Sequence, residues 1–349
     1  MPVDLRMPPK LRPGDRVAVL SPSFAAPGLF PERHEQAMRR VRDVLGLEPV
    51  EFPTTRRLGA TPAERAADLT AAWADPSIRA VFATIGGDDQ LTVLPHLDPA
   101  VFRADPKPFF GFSDNTNLLN WLWGHGLAAY HGGSTMMHLA RGEGVQPVHL
   151  ATLRAALFDG GDLVIAPVDS FSEEEVDWHE PRALTESAPA TPSPGRVWHR
   201  PDTVVSAPTW GGCLDILHWN LAAGRWIRPA GDYEGCVLLL ETSEEMPSAE
   251  DVFHMLRNFG ERGLLRQFPA VLVGTAKATH FMSPRPVPER QKFRDEQREA
   301  ILRAFGTYHP SAMIVFGVDF GHTDPQYVLP HGGRITVDGP ARTITAHYS

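Results

Sequence analysis

Three polar side chains that could carry out nucleophilic catalysis each follow a predicted strand. They are Ser113, Glu241 and His322. A serine hydroxyl becomes a good nucleophile when a nearby imidazole takes its proton, and the imidazole works best when a carboxylate fixes its tautomer and stabilises its charged form. The three residue types are therefore those of a serine, histidine and glutamate triad.

Glu241 is the member of this set that is hardest to explain as a surface residue. It ends the apolar run CVLLLE at residues 236–241, which predicts a buried strand. A half-buried carboxylate at the end of such a strand needs a partner, and His322 in a predicted loop is a candidate. The residue pattern leaves the choice open, because other residues could take the same roles: His131, His280 and Glu244.

Ser113 lies between a predicted strand at residues 109–112 and a predicted helix. At such a turn a serine is lifted clear of the sheet edge, and the helix N-terminus offers unpaired N–H groups to a developing oxyanion. The other interpretation is that Ser113 or Asp114 only caps the helix. The segment also departs from the Gly-x-Ser-x-Gly elbow, because Asn115 replaces the last glycine.

A glycine pair, Gly86 and Gly87, follows the third predicted strand. Two adjacent glycines are a common connector, so a plain turn is one interpretation. The functional interpretation is a stretch of backbone that approaches a substrate closely and donates N–H groups to an oxyanion.

The chain as a whole alternates predicted strands and helices, which indicates an α/β fold with a parallel, helix-covered sheet in the N-terminal half. Ligands collect beyond the carboxyl ends of the strands of such sheets, where both the glycine pair and Ser113 are expected. The second half predicts another α/β unit, and its tail at residues 327–338 alternates around Gly332 and Gly333 as a terminal β-hairpin. We predict an N-terminal domain at 1–168, a linker or lid at 169–205 and a C-terminal domain at 206–349.

The predicted linker is acidic at residues 173–175 and rich in proline and glycine at residues 188–195. It also carries Trp178 and Trp198, which is unusual for a fully solvated linker. The tryptophans could pin the linker to the domain surfaces, or they could stack on a planar group of a ligand.

Composition narrows the classes of partner. The net charge of -9 argues against a nucleic-acid groove or an anionic membrane surface. Cys213 and Cys236 are the only cysteines, too few for a disulfide framework or a structural zinc site. The first residues lack a basic flank followed by an apolar core, and no run of eighteen apolar residues occurs, so we expect a cytoplasmic protein.

The order and spacing of several short motifs resemble the serine peptidases of the L,D-carboxypeptidase family. The motifs are LRPGD at residues 11–15, SPS at 21–23, TIGG at 84–87, GFSD at 111–114, LLE at 239–241, FGH at 320–322 and LP at 329–330. The family includes murein tetrapeptide carboxypeptidases and microcin C self-immunity peptidases. The sequence IGGDD at residues 85–89 and the long linker look more like the microcin-immunity branch.

The resemblance implies Ser113 as nucleophile, His322 as general base and then acid, and Glu241 as the residue that orients the histidine. It implies an oxyanion hole made by the N–H groups of Asp114 and of the Gly86 and Gly87 turn. It also implies a homodimer without a metal or other cofactor.

The expected activity is cleavage of the amide between a C-terminal aminoacyl group and a nucleotide-like sulfamate or phosphoramidate, through an acyl-enzyme. Trp178 or Trp198 would then stack on the base. Two alternatives stay open: a murein tetrapeptide carboxypeptidase that removes the terminal D-Ala, and a non-catalytic protein that binds an aminoacyl-nucleotide. In each case the partner is a small molecule or a short peptide.

Overall fold

The structure, a computed structural model, describes residues 5–349. Its first part alternates strands and helices, with short 3-10 and π-helical turns between them: β1 (Arg16–Leu20), α1 (Pro31–Asp43), β2 (Glu48–Glu51), α2 (Pro62–Ala74), β3 (Ile78–Ala83), α3 (Pro99–Ala104), β4 (Phe109–Gly111), α4 (Thr116–Gly124), β5 (Ala129–His131) and α5 (Pro147–Arg154). Local sequence fixes several of these ends. Thr61 and Glu64 form a capping box at the start of α2, where Pro62 is the first helical residue.

β6 (Asp162–Val164) follows α5, and three short strands lie in the region predicted as linker: β7 (Ser170–Phe171), β8 (Thr191–Pro192) and β9 (Val197–His199). The remaining elements are β10 (Val204–Cys213), α6 (Leu214–Ala223), β11 (Val237–Glu241), α7 (Ala249–Glu261), β12 (Ala270–Gly274), α8 (Val287–Tyr308), β13 (Met313–Val318), β14 (Leu329–His331), β15 (Arg334–Asp338) and β16 (Thr343–His347).

Two large sheets organise the molecule. The first has the order β14-β5-β4-β3-β1-β2, and all its strands are parallel except β14 at one edge. The second has the order β6-β16-β15-β10-β11-β12-β13-β9, with a parallel centre from β10 to β13 and antiparallel pairs outside it. The predicted α/β class with a parallel N-terminal sheet is thus confirmed.

The prediction for the tail was wrong in position. The strands on either side of Gly332 and Gly333 join different sheets, since β14 pairs with β5 while β15 pairs with β10 and β16. The terminal hairpin is formed one strand later, by β15 and β16. Alternation of residue types predicts strands but does not predict which strands pair. The pairing depends on which partner lets each strand bury its apolar face.

The two halves of the chain are joined by more than the linker. β14 comes from the C-terminal part and completes the N-terminal sheet beside β5. Trp123 on α4 donates its indole N–H to the carbonyl of Thr209 at 3.2 Å, and Thr116 accepts the N–H of Cys213 at 3.2 Å. These contacts bring the helix that follows Ser113 against β10, so the N-terminal sheet and the C-terminal sheet are held in one arrangement.

Candidate active site

Ser113 lies at a sharp turn between β4 and α4. Its φ is +60°, in the left-handed region that a non-glycine residue seldom adopts. The residue before it, Phe112, is extended, and residues 113–115 form a 3-10 turn that leads into α4. Strained backbone of this kind persists only where its surroundings hold it in place, and it clusters at functional sites.

A buried polar network surrounds this turn. The carboxylate of Asp114 accepts hydrogen bonds from the hydroxyl of Ser23 and from the backbone N–H of Gln90, the latter at 2.9 Å. The Gln90 side chain donates to Asn115 Oδ1 at 2.8 Å and accepts the N–H of Leu118 at 2.9 Å. Burial raises the pKa of the Asp114 carboxyl to about 6, although the hydrogen bonds from Ser23 and Gln90 act to lower it.

The predicted oxyanion loop lies directly beside the serine. A Cβ atom placed on Gly86 would be 2.8 Å from Ser113 Cβ, 2.9 Å from Ser113 Oγ and 3.3 Å from the backbone nitrogen of Asp114. A Cβ atom on Gly87 would overlap the hydroxyl oxygen of Ser23. Glycine is therefore required at both positions because other atoms occupy the space of a side chain.

Glu241 and His322, which are 81 residues apart in sequence, form a direct contact. Glu241 Oε2 accepts a hydrogen bond from His322 Nδ1 at 2.6 Å. The carboxylate is almost fully buried, and it fits because glycines flank it: a Cβ on Gly321 would be 2.8 Å from Glu241 Oε2, and one on Gly274 would be 2.9 Å from Glu241 Cβ. This is the orientation in which a carboxylate fixes a catalytic imidazole.

The loop that carries His322 is tied to its surroundings on both sides. Gln326 donates to the carbonyl of Gly321 at 2.7 Å. The carboxylate of Asp324 accepts from Arg141 at 2.8 Å, and its backbone forms a two-bond bridge with Ser172 of the predicted linker. The linker therefore helps to position the histidine.

His322 also lies beside the serine turn. Its ring packs edge-on against Phe112, with ring centroids 5.0 Å apart. Within residues 5–349, Ser113 Oγ makes no hydrogen bond to the histidine; instead His322 Nε2 lies 3.0 Å from Glu244 Oε2. Burial opposes the charged imidazole, but the two glutamates outweigh it and raise the pKa of His322 to about 10.

The two other histidines that could take the role of His322 have different surroundings. His131 is fully buried, its Nε2 lies 3.9 Å from Glu241 Oε1, and burial lowers its pKa to about 3. His280 Nε2 lies 3.9 Å from Glu175 Oε2 of the predicted linker. Of these three histidines, only His322 combines a hydrogen bond to Glu241 with a packing contact to the residue before Ser113.

The two tryptophans of the predicted linker are placed differently. Trp178 packs against α1, where the Arg33 guanidinium lies 4.2 Å from its ring centroid and Phe30 meets it edge-on at 5.3 Å. Trp198 lies in β9 opposite Val315 of β13 and is partly buried against the core. Trp178 is thus the one on an open connector segment.

Sequence reasoning missed Gln90 as a member of the site. A glutamine three residues after a glycine pair carries no signal of its own, and its role depends on atoms of the next βα turn. It also weighed Glu244 only as a rival to Glu241, because a sequence does not show that both carboxylates face one imidazole.

No helix within residues 5–349 is long and apolar enough to cross a membrane.

Known proteins share this arrangement of elements. A protein of Streptomyces coelicolor that carries a carboxypeptidase name is 38% identical over 98% of this chain and 96% of its own. A MccF-like protein from Streptococcus pneumoniae, solved in complex with AMP, superimposes with a TM-score of 0.84 at 25% identity, over 96% of this chain and 99% of its own.

The microcin C7 self-immunity protein MccF of Escherichia coli is 23% identical over 81% of this chain and 77% of its own length. Its structure in complex with aspartyl sulfamoyl adenosine has the same fold, with a TM-score of 0.81 at 20% identity over 98% of both chains. Residues 17–132 match the LD-carboxypeptidase N-terminal domain and residues 206–337 match the LD-carboxypeptidase C-terminal domain. The chain therefore belongs to the LD-carboxypeptidase family of peptidases.

Proposed function

We propose that this hydrolase cleaves the amide between a C-terminal aminoacyl group and a nucleotide-like sulfamate or phosphoramidate, through an acyl-enzyme on Ser113. The observation that carries the proposal is the hydrogen bond between Glu241 and His322 beside the strained turn of Ser113. A buried carboxylate, an imidazole and a serine in this order are the parts of a nucleophilic triad.

In the proposed reaction the Ser113 hydroxyl attacks the carbonyl carbon of the aminoacyl group while His322 accepts its proton. The tetrahedral oxyanion is stabilised by the backbone N–H groups of Asp114 and of the Gly86 and Gly87 turn. His322 then donates its proton to the leaving nitrogen, and the carbon–nitrogen bond breaks. Water, deprotonated by the same imidazole, releases the acyl group and restores the serine.

The nucleotide part of the substrate is supported by the relatives and by Trp178. Two members of the fold have been solved with AMP and with aspartyl sulfamoyl adenosine. Trp178 is partly buried on the connector, and Arg33 covers one side of its ring. A base could stack on the other face, which is worth about 1–3 kcal/mol per base in nucleic-acid complexes. Trp198 is the second candidate for this role, although its place in β9 makes it a structural residue first.

A murein tetrapeptide carboxypeptidase is the second candidate function. The family name favours it, since the matched domains are those of LD-carboxypeptidases. The same triad would then release D-Ala from the tetrapeptide, and Trp178 would have no base to contact.

We also propose that the enzyme is a homodimer, which sedimentation would test.

The experiment is to incubate the protein separately with an aminoacyl sulfamoyl adenosine and with the murein tetrapeptide, and to follow both by mass spectrometry. We expect release of the free amino acid from the first compound. Turnover of the tetrapeptide alone would refute the nucleotide substrate. Binding of the nucleotide compound without turnover would identify a binding protein and refute the hydrolase assignment.

A further inference from the structure

Both ring nitrogens of His322 face carboxylates. Nδ1 lies 2.6 Å from Glu241 Oε2, and Nε2 lies 3.0 Å from Glu244 Oε2. Glu244 follows Glu241 by three residues, in the loop between β11 and α7. Only the contact at Nδ1 is needed to orient the ring, because Nε2 is the atom that must accept the proton of Ser113 in the proposed reaction.

We propose that Glu244 is a positioning residue that holds His322 by Nε2 in the resting enzyme and must withdraw before the imidazole can deprotonate Ser113. This inference rests on the proposed function, because that function makes His322 the general base. It adds to the serine, the histidine and Glu241 a fourth residue, Glu244, which controls when the histidine can act as a base.

The protonation state of the ring follows from its two partners. A neutral imidazole carries one N–H and one lone pair. With Nδ1–H directed at Glu241, the lone pair at Nε2 would face the oxygen of Glu244 at 3.0 Å, and two electron-rich atoms at this distance repel. Against the effect of burial, His322 lowers the pKa of the Glu244 carboxyl, so this carboxyl is ionised and the arrangement is favourable only when both nitrogens carry protons. A doubly protonated imidazole has no lone pair, so it cannot act as a base.

Of the two carboxylates, Glu244 is the one that can move. Glu241 is confined by Gly274 and Gly321, and its side chain is 1% exposed. The Glu244 side chain is 41% exposed, although its Oε2, which faces the ring, is itself buried and has no partner with hydrogen-bond geometry. Rotation of this partly exposed side chain would bring its carboxylate into water, whereas the buried side chain of Glu241 has no such alternative.

Other charged groups around His322 do not alter this balance. His131 and His138 lie beside Phe112, with ring centroids 6.1 Å and 5.5 Å from its own, and burial lowers the pKa of both, so that they are neutral. Phe112 covers the ring edge-on. Lys277, on the segment after β12, lies near enough to Glu244 to lower the pKa of its carboxyl, but its ammonium is paired with Glu175 at 2.5 Å.

The test compares Glu244→Gln with Glu245→Gln. Glutamine keeps the shape of Glu244 and removes its charge, and Glu245 is an exposed neighbour without a contact to His322 among the described residues. The first measurement is an NMR pH titration of isotope-labelled histidines in the protein without substrate. Glu244→Gln should lower the pKa of His322 by at least about one unit, and Glu245→Gln should leave it unchanged.

The second measurement is the dependence of kcat/KM on pH with aminoacyl sulfamoyl adenosine. The acid limb reports the pKa of the base in the free enzyme. In Glu244→Gln this limb should move to lower pH, which raises kcat/KM about tenfold on the limb. Glu244→Ala gives a second removal of the charge, and circular dichroism verifies that each variant is folded.

The results separate the inference from the proposed function. An unchanged His322 pKa in both Glu244 variants would overturn the inference even if the enzyme is active. A reduced kcat with an unmoved acid limb would overturn it as well. A lowered pKa without hydrolysis of any substrate would support the hold of Glu244 on His322 and refute the hydrolase assignment.

Discussion

A methyl group added at Gly86 should disable Ser113 while leaving the protein folded. In Gly86→Ala the new Cβ would lie 2.8 Å from Ser113 Cβ and 2.9 Å from Ser113 Oγ, below the 3.0 Å that real Cβ contacts respect. The backbone of Gly86 does not have a positive φ, so its conformation is one that alanine also adopts. The whole conflict therefore falls on the serine turn, which must shift.

The expected loss follows from what the shift disturbs. Removing one oxyanion donor costs about 10²- to 10³-fold in kcat, or about 2.7–4 kcal/mol. A misplacement of about 1 Å costs about 10²-fold. We expect kcat/KM of Gly86→Ala to fall by about 10²- to 10³-fold. Overpacking at a buried site costs about 1–3 kcal/mol of unfolding free energy, which a folded protein of this size can bear.

The assay measures kcat/KM for aminoacyl sulfamoyl adenosine and the unfolding free energy in urea, for Gly86→Ala and for a matched control. The control is Gly231→Ala, because no atom lies within 4 Å of its added Cβ and its φ is ordinary. It should behave as the natural protein does. A Gly86→Ala variant within about threefold of the natural kcat/KM would refute the placement of this loop against Ser113.

Two further predictions concern the connector and the buried histidines. Trp178→Ala should raise KM for an aminoacyl-nucleotide by about tenfold or more at unchanged kcat. The control is Trp219→Ala on α6, where the tryptophan is 41% exposed, and it should change neither KM nor kcat. Equal KM values for Trp178→Ala and the natural protein would exclude stacking on Trp178. His149 is fully buried, and burial lowers its pKa to about 4, so it stays neutral in the folded protein while the unfolded chain binds a proton below about pH 6.5. The stability that His149 contributes is present above that pH and is lost at about 1.4 kcal/mol per pH unit as the pH falls toward 4. Urea unfolding at several pH values should therefore show a smaller loss of unfolding free energy in acid for His149→Gln than for the natural protein, but not for His179→Gln, which replaces an exposed histidine. Equal slopes in all three proteins would contradict this.

Local sequence was sufficient for the elements that bury a continuous apolar stripe or strand. The run at residues 236–241 contains β11, whose residues are all buried. It failed for β10, a ten-residue strand that begins exposed and carries a proline and two glycines. That strand is stabilised by β11 on one side and β15 on the other, and neither partner is visible in its own residues.

The site residues likewise fall into those that the sequence could predict and those that it could not. Residue types after strands made Glu241 and His322 candidates, and the family resemblance favoured them over His131, His280 and Glu244. The structure brings Glu241 and His322 together. The positive φ of Ser113 and the role of Gln90 could not be predicted, because both depend on packing between separate βα turns. The division at 168 and 205 stays a prediction, although β6 and β9 both add to the C-terminal sheet.

The central claim is that Ser113 forms an acyl-enzyme, and trapping that intermediate tests it most directly. The protein is mixed with aminoacyl sulfamoyl adenosine, quenched in acid and examined by intact and peptide mass spectrometry. We predict a mass increase equal to one aminoacyl group on the peptide that contains Ser113, absent in Ser113→Ala, which should still bind the compound without cleaving it. Hydrolysis that continues in Ser113→Ala, or an adduct on another residue, would contradict the account.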